Sequence, residues 1–420
     1  MSYVTYVRSI EKLARAVLDG EVLATPDHPA LDGEPSRALR RLVSLDVRRM
    51  NGAFFTTSKL RDGPFGNALP NRPSELAALD PSCGAGDLLL RWADRLPAQR
   101  SLQATLNSWT PLIHGIDRRT DFVRLARARL VLAAALRSQV TGKTKPLEEQ
   151  LPNLTVGDGL SRLREGDLPT WVLQNPPFGM SPVPEWFASG SGLVSQAAVF
   201  LEAWLMAASA GQRLVAILPD VLRTGSRYRA MRQLISDRSS AISIEPLGQF
   251  DADVDIDVFL LSLRRTQGPK PALWWQPQGK RSDVVLTVRV GTVVPHRDPE
   301  SGPRRRYVSA SNLARVRETS IPNETRRYDG PTFRPPFVAI RRTSRPGERP
   351  RACATVVTGS LDVMVENHLI VVTPERGGLA ACRSIAERLE CAEASAWFDQ
   401  RLGGRHLTTL AIREFLEGTR

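Results

Sequence analysis

Between residues 51 and 265 short apolar runs alternate with helical runs, and this alternation restricts the fold more than any single motif does. The runs "LAALD", "LIHGID", "NLTVGD", "WVLQN", "RLVAILP", "AISIEPLG" and "VFLLSLRR" read as strands. Between them lie helical runs such as "DFVRLARARLVLAAALRSQ" and "QAAVFLEAWLMAASAG". Alternation of this kind predicts a doubly wound, mostly parallel α/β sheet, in which ligands bind beyond the carboxyl ends of the strands.

The flanks read differently. In residues 1–50, "YVRSIEKLARAVL" and "PSRALRRLVSLDVRRM" place apolar residues three and four apart, which predicts a short N-terminal helical segment. After residue 266 Pro and Gly become frequent around the strand-like "DVVLTVRVGTVV", "PFVAIRR", "ATVVTG" and "NHLIVVTP", with helical runs near 379–402 and 406–416. The organisation expected is therefore 1–50, 51–265 and a mixed β-rich domain over 266–420, for which a length of 420 residues leaves room. No apolar run reaches 18 residues, and the start has the spacing of an amphipathic helix rather than a signal peptide, so a soluble cytoplasmic chain with no membrane partner is expected. Cys83, Cys353, Cys382 and Cys391 form no CxxC pair and have no histidine at zinc spacing, so neither a disulfide framework nor a metal is expected.

A formal charge of +13 and a pI near 10.3 suggest a polyanionic partner. The excess is localised: residues 281–351 hold 16 Lys or Arg against 7 Asp or Glu, a net +9. There "GPRRRY" and "IRRTSRPGERPR" lie beside strand-like runs, where they form either a nucleic-acid surface or a solvated arginine-rich one.

Four strands end in polar groups. "LAALDPSCGAGDLLL" runs from a strand through Asp80, Gly84 and Gly86 into a helix, so that backbone can approach a ligand closely. It lacks GxGxxG, and its Asp-x-x-x-Gly-x-Gly spacing suits S-adenosylmethionine, whose amino-acid end is cationic and whose adenosine carries no pyrophosphate. Asp117 ends the second strand, where a carboxylate accepts from ribose hydroxyls or caps a helix. Asp158 ends the third, with an adenine amine or a cap as its partner. In "WVLQNPPFGM", Pro176 and Pro177 end the fourth strand and fix a stiff turn that holds Asn175 and Phe178. An amide beside a flat ring suits a planar, amine-bearing base.

In this order and spacing the motifs over residues 50–265 resemble the S-adenosylmethionine-dependent amino-methyltransferases, most closely the gamma-type N6-adenine DNA methyltransferases, a class that includes type I modification subunits and many type II enzymes. "NGAFFTTSKL" is similar to the family's Gly-x-Phe-Tyr-Thr-Pro segment at Gly52, Phe54, Phe55 and Thr56, and departs from it at Thr57. "EPLGQFDADVDIDVFLLSLRR" is similar to a later segment that brings an aromatic residue, Phe250, near the target base. More loosely, the stretch from "PFVAIRR" to "RHLTTLAIREFLEG" resembles target-recognition domains.

The resemblance implies a Rossmann-like methyltransferase sheet that holds the cofactor through Phe55, Thr56, Asp80, Ser82, Gly84, Gly86, Asp117 and Asp158. It implies Asn175, Pro176, Pro177 and Phe178 as the catalytic turn, with Phe178 and Phe250 at the target base. The Thr56 hydroxyl would meet the methionine end of the cofactor. Double-stranded DNA is the implied partner, its phosphates met by Arg304, Arg305, Arg306, Arg341, Arg342 and Arg345, with Arg349 and Arg351 as further candidates. The adenine would be flipped from the duplex, in a restriction-modification or phage-defence setting that admits a separate restriction or specificity subunit. Alternatives are another amine, such as cytosine N4 in DNA, an RNA base or a release-factor glutamine, or a non-catalytic DNA-binding subunit of a defence complex. Asn175 and the basic C-terminal domain favour adenine in DNA. No nuclease cluster stands out in the sequence.

Overall fold

Each of the seven expected strand runs forms a strand, and all seven join one sheet. The computed structural model describes residues 2–23, 28–50, 52–71, 76–140, 142–251, 254–266, 268, 274, 285–402 and 404–418. They divide into two compact units, Met1–Leu273 and Trp274–Arg420.

In the first unit the strands are β1 (Ala78–Asp80), β2 (Ile113–Asp117), β3 (Leu154–Val156) and β4 (Trp171–Gln174). A small separate hairpin follows, β5 (Met180–Pro182) with β6 (Leu193–Ser195). The large sheet resumes with β7 (Arg213–Pro219), β8 (Ser239–Asp251) and β9 (Val254–Arg265), in the order β3-β2-β1-β4-β7-β9-β8. β1, β2, β3, β4 and β7 run parallel, and β9 is antiparallel to both its neighbours. The chain steps outward from β1 to β3 and returns to β4 on the other side of β1. A crevice therefore opens beyond the carboxyl ends of β1 and β4, where the strand order reverses.

The helix Thr120–Arg137 is apolar around most of its circumference and is buried accordingly, from Phe122 to Ala135. The N-terminal helix Tyr3–Leu18 lies against it, with the Tyr3 and Phe122 rings 6.0 Å apart and Arg124 donating to Glu11 at 2.7 Å. Tyr3, Val7, Ala30 and Leu39 belong to the same hydrophobic core as Leu89, Leu130 and Leu173. Residues 1–50 thus share their core with the sheet instead of packing by themselves.

In the second unit, β10 (Leu286–Val290), β11 (Arg304–Val308), β12 (Glu318–Ser320), β13 (Thr325–Arg327), β14 (Phe337–Arg341), β15 (Ala354–Thr358), β16 (Val363–Val365) and β17 (Leu369–Pro374) form two sheets, β10-β17-β14-β15-β12 and β13-β11-β16. Period-two alternation divides the larger sheet's faces. Val338, Ile340, Val356 and Val372 meet Ile385, Phe398, Ile412 and Phe415 of the C-terminal helices. Phe337, Ala339, Val357 and Val371 meet Val308, Val363 and Val365 of the smaller sheet. The helical run expected over 379–402 is broken at Cys391, whose Sγ accepts the Ala394 N–H at 3.3 Å and starts a new helix, Ala392–Arg401. β11, β12, β13 and β16 were not expected as strands. Among the described residues no helix is long and apolar enough to cross a membrane.

Candidate active site

The loops after the first four strands meet around a cavity of about 410 Å³ in the crevice, within the range of ~300–1,000 Å³ usual for small-molecule sites. Asp80, Ser82, Gly84, Asp117, Asp158, Asn175 and Pro177 line it, together with Phe55 and Thr56 from the segment before β1. Gly86 sits just behind, in a left-handed conformation that starts the helix Asp87–Ala93. Residues more than a hundred positions apart are thereby brought together by the sheet.

Asp80 is 1 % exposed, and its Oδ1 accepts the Ser82 N–H at 3.0 Å. Burial pushes its carboxyl from 3.8 up to about 8, an effect that the Ser82 N–H opposes and that the nearby Asp117 and Asp87 charges reinforce. Among the described residues no cation is paired with it. Asp117 accepts from the Gly84 N–H at 3.0 Å and the Arg119 N–H at 2.9 Å, so it ties the glycine loop to the end of β2. Burial raises its carboxyl as well, against those two hydrogen bonds. Asp158 caps the helix Gly159–Glu165 through the Leu160 N–H and pairs with Arg118 at 3.0 Å, so the capping role stands beside the expected ligand role. Gly159 must be glycine because a Cβ there would lie 1.7 Å from the Pro81 carbonyl oxygen.

The Asn175 amide is held from one side. Its Nδ2 donates to Thr56 Oγ1 at 3.0 Å and, more weakly, to the Phe54 carbonyl at 3.4 Å. A carbonyl can only accept, so this pairing fixes which end of the amide is nitrogen. The Oδ1 and the Pro176 carbonyl have no hydrogen-bond partner among the described residues. Ser82 Oγ donates to the Asn175 carbonyl at 3.4 Å and links the glycine loop to the turn. Gly52 lies in the left-handed region at φ 59°, and a Cβ there would come within 2.7 Å of the Pro177 ring. The segment before β1 thus serves Asn175 and Pro177 directly. Thr56 was read from the sequence only as a contact for the cofactor, and its bond to Asn175 had no signal there.

The turn is largely covered: Pro176 is buried and Pro177 and Phe178 are half-buried. Phe178 and Phe250 meet edge to face at 5.2 Å, and Phe250 is 3 % exposed. Phe250 therefore supports Phe178 from within the core. Behind the glycine loop lies a residue that sequence reasoning missed: Arg129, fully buried, donates to the Ala30 carbonyl at 2.6 Å, the Ala85 carbonyl at 2.5 Å and Asp87 Oδ1 at 2.9 Å. Cys83, in the same loop, is buried, and its thiol is pushed well up by burial and by the Asp80 and Asp117 charges. Among the described residues no cluster of His, Cys, Asp or Glu could hold a metal ion.

In the second unit the expected arginines separate. Arg304, Arg305 and Arg306 form β11, paired with β13 so that Arg304 faces Arg327 and Arg305 faces Arg326. Like charges placed directly opposite on a ribbon repel unless an anion lies between them. Arg326 and Arg327 were missed, although the tripeptide Arg-Arg-Tyr occurs at both 305–307 and 326–328. Arg304 and Arg327 are exposed. Arg306 donates to the Asn323 carbonyl at 2.6 Å and to its side chain at 2.9 Å. Arg341 is not free for phosphate: it donates to the Ala310 and Leu313 carbonyls and holds that loop. Arg342 donates to the Asn367 carbonyl at 2.9 Å. Arg345 is exposed, and Arg349 pairs with Asp399 at 2.9 Å. Arg351 corrects the expectation outright, being fully buried against Asp399 and the Ser344 and Gly404 carbonyls.

No protein-family model and no curated protein matches the chain. Among solved structures it is similar to the methyltransferase subunit of a type I restriction-modification system from Streptococcus thermophilus, at 17 % identity and TM-score 0.36 over 58 % of this chain and 51 % of that one. It is also similar to the M protein of the type I restriction enzyme EcoKI, at 15 % identity and TM-score 0.38 over 52 % and 47 % of the two chains. A third is the type IIG restriction endonuclease BpuSI, at 14 % identity and TM-score 0.41 over 93 % and 60 %. The chain thus spans about half the length of the first two and 60 % of the third.

Proposed function

We propose that this chain transfers a methyl group from S-adenosylmethionine to the N6 amine of an adenine in double-stranded DNA, in a restriction-modification or phage-defence setting. The observation that carries the reading is the one-sided anchoring of Asn175, which lines the cavity: its Nδ2 is engaged, while its Oδ1 and the carbonyl of the next residue, Pro176, have no partner among the described residues. An exocyclic adenine amine is a poor nucleophile because its lone pair is delocalised into the ring. Two acceptors on its hydrogens draw the nitrogen toward tetrahedral geometry and localise that lone pair. The prolines keep both acceptors fixed, and orientation of this kind contributes on the order of 7–11 kcal/mol to a reaction between two bound partners. Phe178, backed by Phe250, offers a ring on which the base can stack.

The residues present fit the cofactor. It supplies an electrophilic methyl group when bound. Asp80, a buried carboxyl with no cation paired to it among the described residues, suits the cationic amino-acid end. Asp117 suits the ribose hydroxyls, Asp158 the adenine amine, and the Ser82–Gly86 loop the close approach of backbone. An adenine reaches this pocket only when flipped out of the duplex, at a cost of a few kcal/mol. The arginine ribbon of β11 and β13 offers phosphate contacts to offset it, led by Arg304 and Arg327.

Long-read sequencing of DNA from cells that express the protein tests base and site together. Modified adenine at one recurring sequence is expected, and its loss in the Asn175→Ala variant. Calorimetry on that variant should show cofactor affinity retained. Modified cytosine would reassign the amine, and lost cofactor binding would overturn the division of labour between Asn175 and the aspartates.

A further inference from the structure

The hairpin of β5 and β6 begins two residues after Phe178, and its two faces have opposite character. Ser181 lines the cavity and Val194, opposite it, is buried. On the other face Met180 and Leu193 are 54 % and 56 % exposed, with Pro182 exposed beside them, and only Ser195, paired with Met180 where the next helix begins, is buried. Water disfavours such a face, and a contiguous exposed apolar surface usually marks an interaction site.

Flexibility does not account for it, because the hairpin is held at every corner. The Gln196 N–H donates to the Gly179 carbonyl at 2.8 Å, and the Ser195 N–H donates to Tyr228 Oη at 3.0 Å. Arg227 donates to the Ser191 carbonyl. Glu202, itself fully buried, accepts the Ala188 N–H at 2.6 Å and the Ser189 N–H at 3.2 Å in the loop joining the strands. A buried carboxylate is costly unless it is hydrogen-bonded, and this one is used to fix the loop. Two exposed arginines sit on the loop that joins the strands: Arg227 donates to the Ser191 carbonyl, two residues before Leu193, and Arg164 lies 4.9 Å over the Trp186 ring. A rigid apolar surface with cations on its adjoining loop matches stacked bases bordered by phosphates better than it matches a protein core.

We propose that this hairpin is a wedge that packs Met180 and Leu193 against the base pairs beside the flipped adenine and supports the gap that the base leaves. The proposal rests on the reading of the cavity as a site for a flipped base. Its role falls on the step of extrusion and not on methyl transfer, so its loss should matter only when the target is paired.

The test is a Met180→Ser, Leu193→Ser double variant, assayed on two duplexes that carry the site found by sequencing, one with the target adenine paired and one with it opposite an abasic position. Both side chains are exposed, so melting temperature and cofactor affinity should match the wild type. On the paired duplex kcat/KM should fall by on the order of tenfold, and on the abasic duplex it should stay near the wild-type value. Equal loss on both duplexes, or loss on neither, overturns the wedge while leaving the methyltransferase reading intact. A wild type inactive on both overturns that reading, and the wedge with it.

Discussion

Thr56→Val removes one acceptor and almost nothing else. Valine keeps the branched shape at a site that is 3 % exposed, while the Thr56 Oγ1 that accepts from Asn175 Nδ2 at 3.0 Å is gone. The other acceptor, the Phe54 carbonyl at 3.4 Å, is at the limit of a useful hydrogen bond. Asn175 is half-buried, and leaving such a donor with only that weak acceptor costs up to roughly 1–3 kcal/mol, the range for a buried donor. If that cost is felt when Oδ1 must point at the substrate amine, kcat falls about 5- to 150-fold, at 1.36 kcal/mol per tenfold. Single-turnover methyl transfer at saturating cofactor measures the rate, and calorimetry measures cofactor affinity. A lowered rate with affinity retained, restored by Thr56→Ser, is expected. An unchanged rate with weakened cofactor binding would refute the anchoring argument and return Thr56 to the cofactor alone.

Asp80 carries a pH signature. Its folded-state carboxyl sits near 8 against an ordinary 3.8, so the stability it contributes is complete below about pH 4 and is lost as pH rises toward 8. Asp80→Asn should therefore flatten the fall in melting temperature of the cofactor-free protein between pH 5 and 8, and parallel curves for variant and wild type would mean that the group is already ionised. In the second unit, Arg304→Ala with Arg327→Ala should lower the slope of log K for DNA against log salt by about 0.9 for each phosphate no longer neutralised, and weaken all sequences alike. Fluorescence anisotropy across a salt series reads this, and a wild-type slope would assign the DNA to another surface.

The strand ends were legible because two of them fall where a strand must stop: Asp80 and Asn175 sit between an apolar run and a proline, while Asp117 follows the apolar run of its own strand. What was not legible depends on partners far along the chain. Arg351 looked like surface in a run of arginines, yet Gly404 and Asp399, some fifty residues on, satisfy its guanidinium and allow its burial. In β11 three consecutive arginines hide the period-two pattern, which appears only at Tyr307 and Val308, where opposite faces become buried. The Thr56–Asn175 bond spans 119 positions, and no local spacing encodes it.

The single guanidinium of Arg129 joins the first thirty residues to the glycine loop, since Ala30, Ala85 and Asp87 all share it. The Ala30 and Ala85 bonds go to backbone carbonyls, which any residue at those positions supplies, but losing Asp87 strands a buried charge, and breaking such a pair costs roughly 3–5 kcal/mol, a large part of what holds an ordinary domain folded. In recombination between related genes, a crossover between residues 87 and 129 would part Arg129 from the carboxylate that pairs with it. The stretch from Asp87 to Arg129 is therefore expected to pass between lineages as one block, whatever happens to the chain around it.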